Sequence, residues 1–309
     1  PMNTIFTKLS LGLLLMLVAS AGFAQNTLVD TKKTYSGITR IEVESGWLNV
    51  TYKGTAEASV NVESFLQSND TDQDIVFITV GNVLKITHTK KQGNYNWNSK
   101  NKGYINLSGP ETMALDIKGT SGNINVDKIS SDITSIKLSS GNVTVSNLTG
   151  DLSIKATSGN LTVTGVNGNI TSTVTSGNAN FMQVSGNVDY ESTSGSVDAN
   201  GVSGEMNVSL TSGNAKLNNI GKLGVLQFTS GNIRATDAGL GENTRFSGTS
   251  GNFNVQTGSN LKAFNFSLKA SSGNLKVGGT STGKSLEMDN GATTWIRGAI
   301  TSGNISIVN

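Results

Sequence analysis

Cysteine is absent from all 309 residues, proline occurs twice and histidine once. Without cysteine the chain has no disulfide framework, no thiolate nucleophile and no lipidated N-terminal cysteine. With His88 as its single imidazole it lacks the ligands a zinc site needs. Its many serines have one histidine among them, remote in sequence, so a serine nucleophile has no base beside it. Charge is also scarce. Asp, Glu, Lys and Arg make up 14% of the chain, against roughly 25% in ordinary soluble domains. The formal net charge is +2 and no basic block occurs, which argues against a nucleic-acid partner. No cofactor is implied.

What the chain has in quantity is glycine, with 37 residues, and β-branched residues in alternating patterns. Glycine with low charge is compatible with disorder, but disordered chains lack β-branched residues and apolar periodicity. One long apolar run occurs, "LSLGLLLMLVASAGFA", preceded by Lys8. Its core, Leu9 to Val18, is too short to span a bilayer, and Gly22 and Ala24 are the small residues of a cleavage site. Residues 1–24 therefore read as a secretory signal, with a mature chain from Gln25 that holds no transmembrane segment. The protein is expected to be exported, to the periplasm, the cell surface or the extracellular space.

The phrase "TSGN" and its near copies recur with glycines at 122, 141, 159, 177, 195, 213, 231, 251, 273 and 303. From Gly141 to Gly231 every step is 18 residues. A second set, Gly150, Gly168, Gly186 and Gly204, falls nine residues after a main glycine. Apolar residues alternate between the turns and align at the same step, as in Val143, Leu161, Ala179, Val197, Ala215 and Ile233. A fixed period near twenty residues marks stacked units that cannot bury an apolar face alone. Strict period two with Thr, Ser and Val argues for strands over helices. The expected fold is all-β: a single-stranded parallel β-helix or solenoid, right-handed by the crossover rule, with about 18 residues per coil. Gly122, Gly141, Gly159, Gly177, Gly195, Gly213 and Gly231 are its expected corners. Asn142, Asn160, Asn178, Asn214 and Asn232 are expected to stack beside them. Residues 25–108 keep the alternation without the period, and read as irregular N-terminal β coils or a cap. Residues 109–309 read as the regular part with a closing coil.

Two stretches invite a chemical reading. "SNDTDQD" (Ser68–Asp74) holds Asp70, Asp72 and Asp74, which leaves calcium open, although the Gly and Glu of a full calcium loop are missing. Asp189 and Glu191 point outward from one strand, roughly 6–7 Å apart by strand rise, a spacing compatible with glycan cleavage but normal for any outward face. For binding, Lys118, Lys137 and Lys155 share one coil position and form a basic stripe suited to an acidic glycan. Tyr95, Trp97 and Tyr104, in and beside the polar loop "KKQGNYNWNSKNKG", are aromatic candidates for stacking on sugars.

The order of a secretory signal, "ITRIEVESG", "GNVLKI" (Gly81–Ile86), "INLSGPETMALDIKGTSGNINV" and serial "SGN" resembles a Bacteroidetes-type bacterial "putative adhesin" family of unassigned function, the head GIN domain or β-strand repeat proteins. The likeness covers nearly the whole mature chain. It implies an extracytoplasmic, β-helical, adhesin-like protein and carries no catalytic residues with it. The reading is thus a binding protein without catalysis or metal, presenting polar faces to a surface glycan or envelope polymer. Two alternatives stay open: a structural rod assembling with another envelope protein, and a glycan-active hydrolase or lyase.

Overall fold

Alternating apolar and polar residues place one side of each strand in the interior and the other in solvent. In a computed structural model, which describes residues 26–91 and 101–309, twenty strands form one sheet system. The expected leader over residues 1–24, and Tyr95 and Trp97, lie outside the described residues. The strands are β1 (Asn26–Tyr35), β2 (Arg40–Gly46), β3 (Asn49–Thr55), β4 (Val60–Ser68), β5 (Gln73–Val80), β6 (Val83–Lys90), β7 (Lys102–Pro110), β8 (Ala114–Gly119), β9 (Ile124–Ser140) and β10 (Val143–Ser158). They continue with β11 (Leu161–Asn167), β12 (Ile170–Ser176), β13 (Ala179–Val184), β14 (Val188–Ser194), β15 (Val197–Gln256), β16 (Asn265–Ser272), β17 (Leu275–Val277), β18 (Thr280–Thr282), β19 (Ser285–Met288) and β20 (Trp295–Val308). Among the described residues there is no α-helix, only a 3-10 turn at Leu261–Ala263.

This topology corrects the expected single-stranded parallel β-helix. The sheet is mixed. Antiparallel pairs join β1 to β4, β4 to β7, β5 to β6, β16 to β19 and β17 to β18. Nor do the strands follow one another in order. β2 lies between β6 and β8, and β3 between β7 and β9. At the other end β20 lies between β15 and the pair β16 and β17. The 18-residue step is a local property of the middle of the chain, where Val143 pairs with Leu161, Leu161 with Ala179 and Ala179 with Val197 in parallel register. It carries no information about hairpins and long-range insertions outside that stretch, so a handed coil is not the right description of the molecule.

The register turns the alternating pattern into a continuous core. Val143, Val145, Leu148, Leu152 and Ile154 are all buried, as are their equivalents one step on, with the polar Ser172 filling one place. Phe181 meets Tyr190 edge-on at 5.7 Å inside this core. Tyr52 is fully buried and its hydroxyl donates to the Pro110 carbonyl at 2.7 Å.

Corners decide whether strands can stack this closely. Gly159 has φ +129°, and a Cβ there would lie 1.8 Å from the carbonyl oxygen of Gly141. Gly177 repeats the arrangement against Gly159 at 1.9 Å with φ +136°. A side chain at either place would collide with backbone that has nowhere to go. Beside these glycines the asparagines link each layer to the next. Asn142 Oδ1 accepts the Asn160 amide N–H at 3.1 Å, and Asn160 Oδ1 accepts that of Asn178 at 3.1 Å. Ser196 takes the place of an asparagine, accepting the Asn214 amide at 3.3 Å, and Asn214 Oδ1 then accepts the Asn232 amide at 3.1 Å. The ladder is therefore mainly side chain to backbone. A second row runs from Asp151 through Asn169 and Asn187 to Glu205.

Replacing Gly177 by Ala should destabilise the fold by more than about 3 kcal/mol, since strain and collision act together. Gly258, with nothing within 4 Å of a built Cβ, should tolerate Ala within about 0.5 kcal/mol. Urea denaturation of the two variants checks the contrast.

Candidate binding face

Parallel pairing places chemically equivalent residues side by side at about 4.8 Å. Lys118 of β8 pairs with Lys137 of β9, and Lys137 with Lys155 of β10. The row continues to Thr173 of β12, Glu191 of β14 and Ser209 of β15, and in the other direction to Glu44 of β2. The structure therefore brings the three lysines together as one exposed ladder. Lys118, Lys137 and Lys155 line a shallow depression of about 390 Å³ with Ser139, Thr157 and Thr175. No hydrogen bond or ion pair engages any of the three ammonium groups among the described residues. Two residues earlier on the same outward face run Asp116, Ser135, Ser153, Thr171, Asp189 and Asn207. Lys137 and Lys155 are thus bordered by hydroxyls on both sides, and Lys118 by the carboxylate of Asp116 on one.

The same face changes character further along. A depression of about 200 Å³ is lined by Thr171, Thr173, Asp189, Glu191, Asn207 and Gln227 among others. Asp189 accepts from the Asn207 side-chain amide at 2.7 Å, which ties one of its oxygens. A glycosidase needs one carboxyl group held protonated. Away from this depression the structure shifts carboxylates downward. Hydrogen bonds from Arg40 and Lys85 lower Glu42, and one from Lys90 lowers Asp70.

The remaining candidates fall elsewhere. Tyr104 lies on β7, which pairs with β3 and β4 rather than with the segments that bear the lysines, and it stacks on Phe65 at 5.7 Å. Asp70 bonds Lys90 at 2.8 Å, Asp74 accepts the Ile75 amide at 2.7 Å, and Asp72 donates its own amide to Asp70 at 3.3 Å. Among the described residues no three His, Cys, Asp or Glu side chains gather to hold a metal. His88 is half-buried. It meets Trp47 edge-on at 5.7 Å and shares the Gln73 side-chain carbonyl with the Trp47 indole, at 3.1 and 2.9 Å. Because that oxygen accepts from Trp47, His88 bonds it through a protonated Nε2.

Sequence reasoning missed a third corner. Lys128, Asn147, Gly165, Gln183, Gly201, Asn219 and Asp237 all have positive φ, between 50° and 76°. Five of these seven are Gly, Asn or Asp, the residues that tolerate this region, so the row was readable. Lys128 and Gln183 broke the pattern.

The family model described as Toastrack DUF4097 matches residues 38–166, 96–201 and 151–308. The resemblance read from the sequence names the head GIN domain instead; the part of it that stands is a likeness, at low identity, to Bacteroidetes proteins named putative adhesins. Among solved structures, the chain is similar to a "putative lipid binding protein" from Parabacteroides distasonis, at 16% identity over 93% of this chain and 98% of that one, with a TM-score of 0.45. It is also similar to a "putative adhesin" from Bacteroides fragilis, at 13% identity over 91% and 98%, with a TM-score of 0.35. A "putative cell adhesion protein" from Clostridium sporogenes matches at 12% identity over 91% and 99%, with a TM-score of 0.21. No curated protein matches the chain. Among the described residues no helix is long and apolar enough to cross a membrane.

Two outcomes test this description. Like charges directly opposite one another destabilise a sheet, so Lys137→Thr should raise stability by a few tenths of a kcal/mol at low salt. The gain should disappear in molar salt, where screening is short-ranged, and thermal melts at two ionic strengths read it. His88 is held below its ordinary value of 6.5 by burial first and by Lys90 second. The folded state therefore binds fewer protons than the unfolded one, so stability is full above about pH 6.5 and falls as pH drops below it. His88→Gln should flatten that part of a stability–pH curve. The loss below about pH 4 associated with Asp70 should remain.

Proposed function

The chain belongs to the Toastrack DUF4097 family, and we propose that this member is a non-catalytic, adhesin-like protein of the bacterial envelope whose lysine ladder holds an acidic polysaccharide. One observation carries the reading: three exposed lysines stand in register on neighbouring strands, with no ion pair to any of them among the described residues. Such an arrangement costs the folded protein stability, and an anionic ligand running across the strands would offset it. A polymer with one carboxylate on each sugar presents charge at intervals of the same order as the strand spacing, about 4.8 Å. The rows Ser135, Ser153, Thr171 and Ser139, Thr157, Thr175 would meet sugar hydroxyls on either side. That border favours a saccharide over a bare polyphosphate. Weak contacts repeated along a polymer give useful avidity without a deep pocket.

Polygalacturonate is a suitable probe, with uncharged dextran beside it. The chain from Gln25 onward should bind the first saturably and ignore the second. Affinity should fall with salt in the manner of about two to three released counter-ions. Lys118→Gln, Lys137→Gln and Lys155→Gln together should abolish the binding while leaving the circular dichroism spectrum unchanged. Equal binding by the triple variant, or equal retention of dextran, would refute the ladder as the site.

A further inference from the structure

An edge strand presents unpaired backbone groups, and proteins blunt such edges with charge, brevity or irregularity. Among the described residues three of the four edges are blunted. β1 pairs only with β4, carries Asp30, Lys32 and Lys33, and has a register break between Thr27 and Val29. β18 has three residues, paired only with β17, and β19 has four, paired only with β16. The fourth edge is different. β5 runs eight residues, pairs only with β6 among the described residues, and keeps an unbroken register from Gln73–Lys90 to Val80–Val83. It contains no proline or charge after Asp74. Its outward row is Val76, Ile78 and Val80, and Ile78 and Val80 are 52% and 59% exposed.

The hairpin fixes which amides face the open edge. Val80 and Val83 close a two-residue loop in which Gly81 has φ +59°. They form a hydrogen-bonded pair, so by alternation the amides of Asp74, Val76, Ile78 and Val80 turn toward β6. Those of Ile75, Phe77 and Thr79 turn outward. Ile75 is already capped by its neighbour, since its amide donates to Asp74 Oδ1 at 2.7 Å. Among the described residues nothing pairs with the outward main chain of Phe77 and Thr79.

We propose that β5 is a self-association edge that pairs antiparallel with β5 of a second copy about a two-fold axis through Ile78. In this register Ile78 faces Ile78, and Val76 faces Val80 in both directions, so the exposed apolar row covers itself. Phe77 and Thr79 of each copy exchange hydrogen bonds with Thr79 and Phe77 of the other, which uses the free amides and no others. Asp74 comes opposite Asn82 of the second copy. On the exposed face the nearest cation, Lys85 on β6, is already bound to Glu42 at 3.1 Å, and on the other face Lys33 of β1 stands over the Phe77 ring at 4.3 Å, so each copy carries one cation beside the edge rather than in the apolar row. A second copy suits the edge because one short segment supplies both halves of the complementarity. This proposal is independent of the polysaccharide reading.

The absence of cysteine gives a direct test. Residues facing one another in a non-hydrogen-bonded pair have Cα atoms about 4.5 Å apart, within disulfide range. Under mild oxidation the Ile78→Cys chain should form a covalent dimer at least tenfold faster than Ile133→Cys or Val225→Cys, which place a thiol at other exposed apolar positions. Wild-type protein should sediment as a concentration-dependent dimer. Thr79→Pro, which removes an outward amide and leaves the β6 pairing, should be monomeric. Crosslinking of Ile78→Cys no faster than the two controls would overturn the proposal, as would a wild-type chain monomeric at every concentration. An edge reserved for a different protein would give that same uncrosslinked result. Should the proline variant fail to fold, the comparison of the three cysteine chains still decides.

Discussion

Everything in this molecule depends on how closely neighbouring strands approach at the corners. Between corners, backbone hydrogen bonds hold parallel strands at the usual spacing. At the SGN corners the main chain of one layer touches that of the next, and only glycine leaves enough room. The carbonyl of Gly141 occupies the space that a side chain on Gly159 would need. The amide of the following residue is then bonded by an asparagine side chain from the layer before, as between Asn142 and Asn160. Each corner thus fixes register as well as direction. Once register is fixed, one residue in every layer must lie over its equivalent, both inside the core and outside it.

That constraint explains what could be read from the sequence. Gly141 to Gly231 repeat because each must fit the same contact, and Val143, Leu161 and Ala179 align because each fills the same interior column. The in-register lysines were legible for the same reason. The whole topology was not. An 18-residue repeat says that two segments are alike, and likeness is not adjacency. For Gly251, Gly273 and Gly303 the two part company: Gly303 packs on Gly251, and Gly273 packs on Gly303. The last of the three phrases in the chain is the middle one in space. Nothing local distinguishes these arrangements, since each glycine makes the same contact with whichever strand arrives.

The two ends show why such insertions suit this kind of sheet. Strands that follow in sequence leave the first and last segments as open edges. Here β2 and β3 are covered by β6 and β7, and β20 by β16 and β17. Antiparallel strands then finish each end, because a hairpin can close in two residues whereas a parallel return needs a crossover. Folding of β16 and β17 onto the sheet has to wait for β20, whose contacts are long-range in sequence. A late, non-local closing step of this kind is slow by the general relation between topology and rate.

The lysine ladder gains its meaning from the other outward rows. Stacking equivalents in register is a hazard for any charged position, and at several places the sheet handles it by changing residue type from one layer to the next. Lys216 faces Asp198 at 3.5 Å, Lys85 and Arg40 share Glu42, and Asp189 is met by Asn207. Beyond Lys155 even the lysine row itself passes to Thr173 and then Glu191. Like charges meet in register elsewhere too, as Glu42 with Asp116 and Arg245 with Arg297, but Lys118, Lys137 and Lys155 make a run of three, exposed and without an ion pair among the described residues. A solvated face alone would tolerate any one of them. Under the proposed reading, a ligand of opposite charge would offset the repulsion that three successive lysines share.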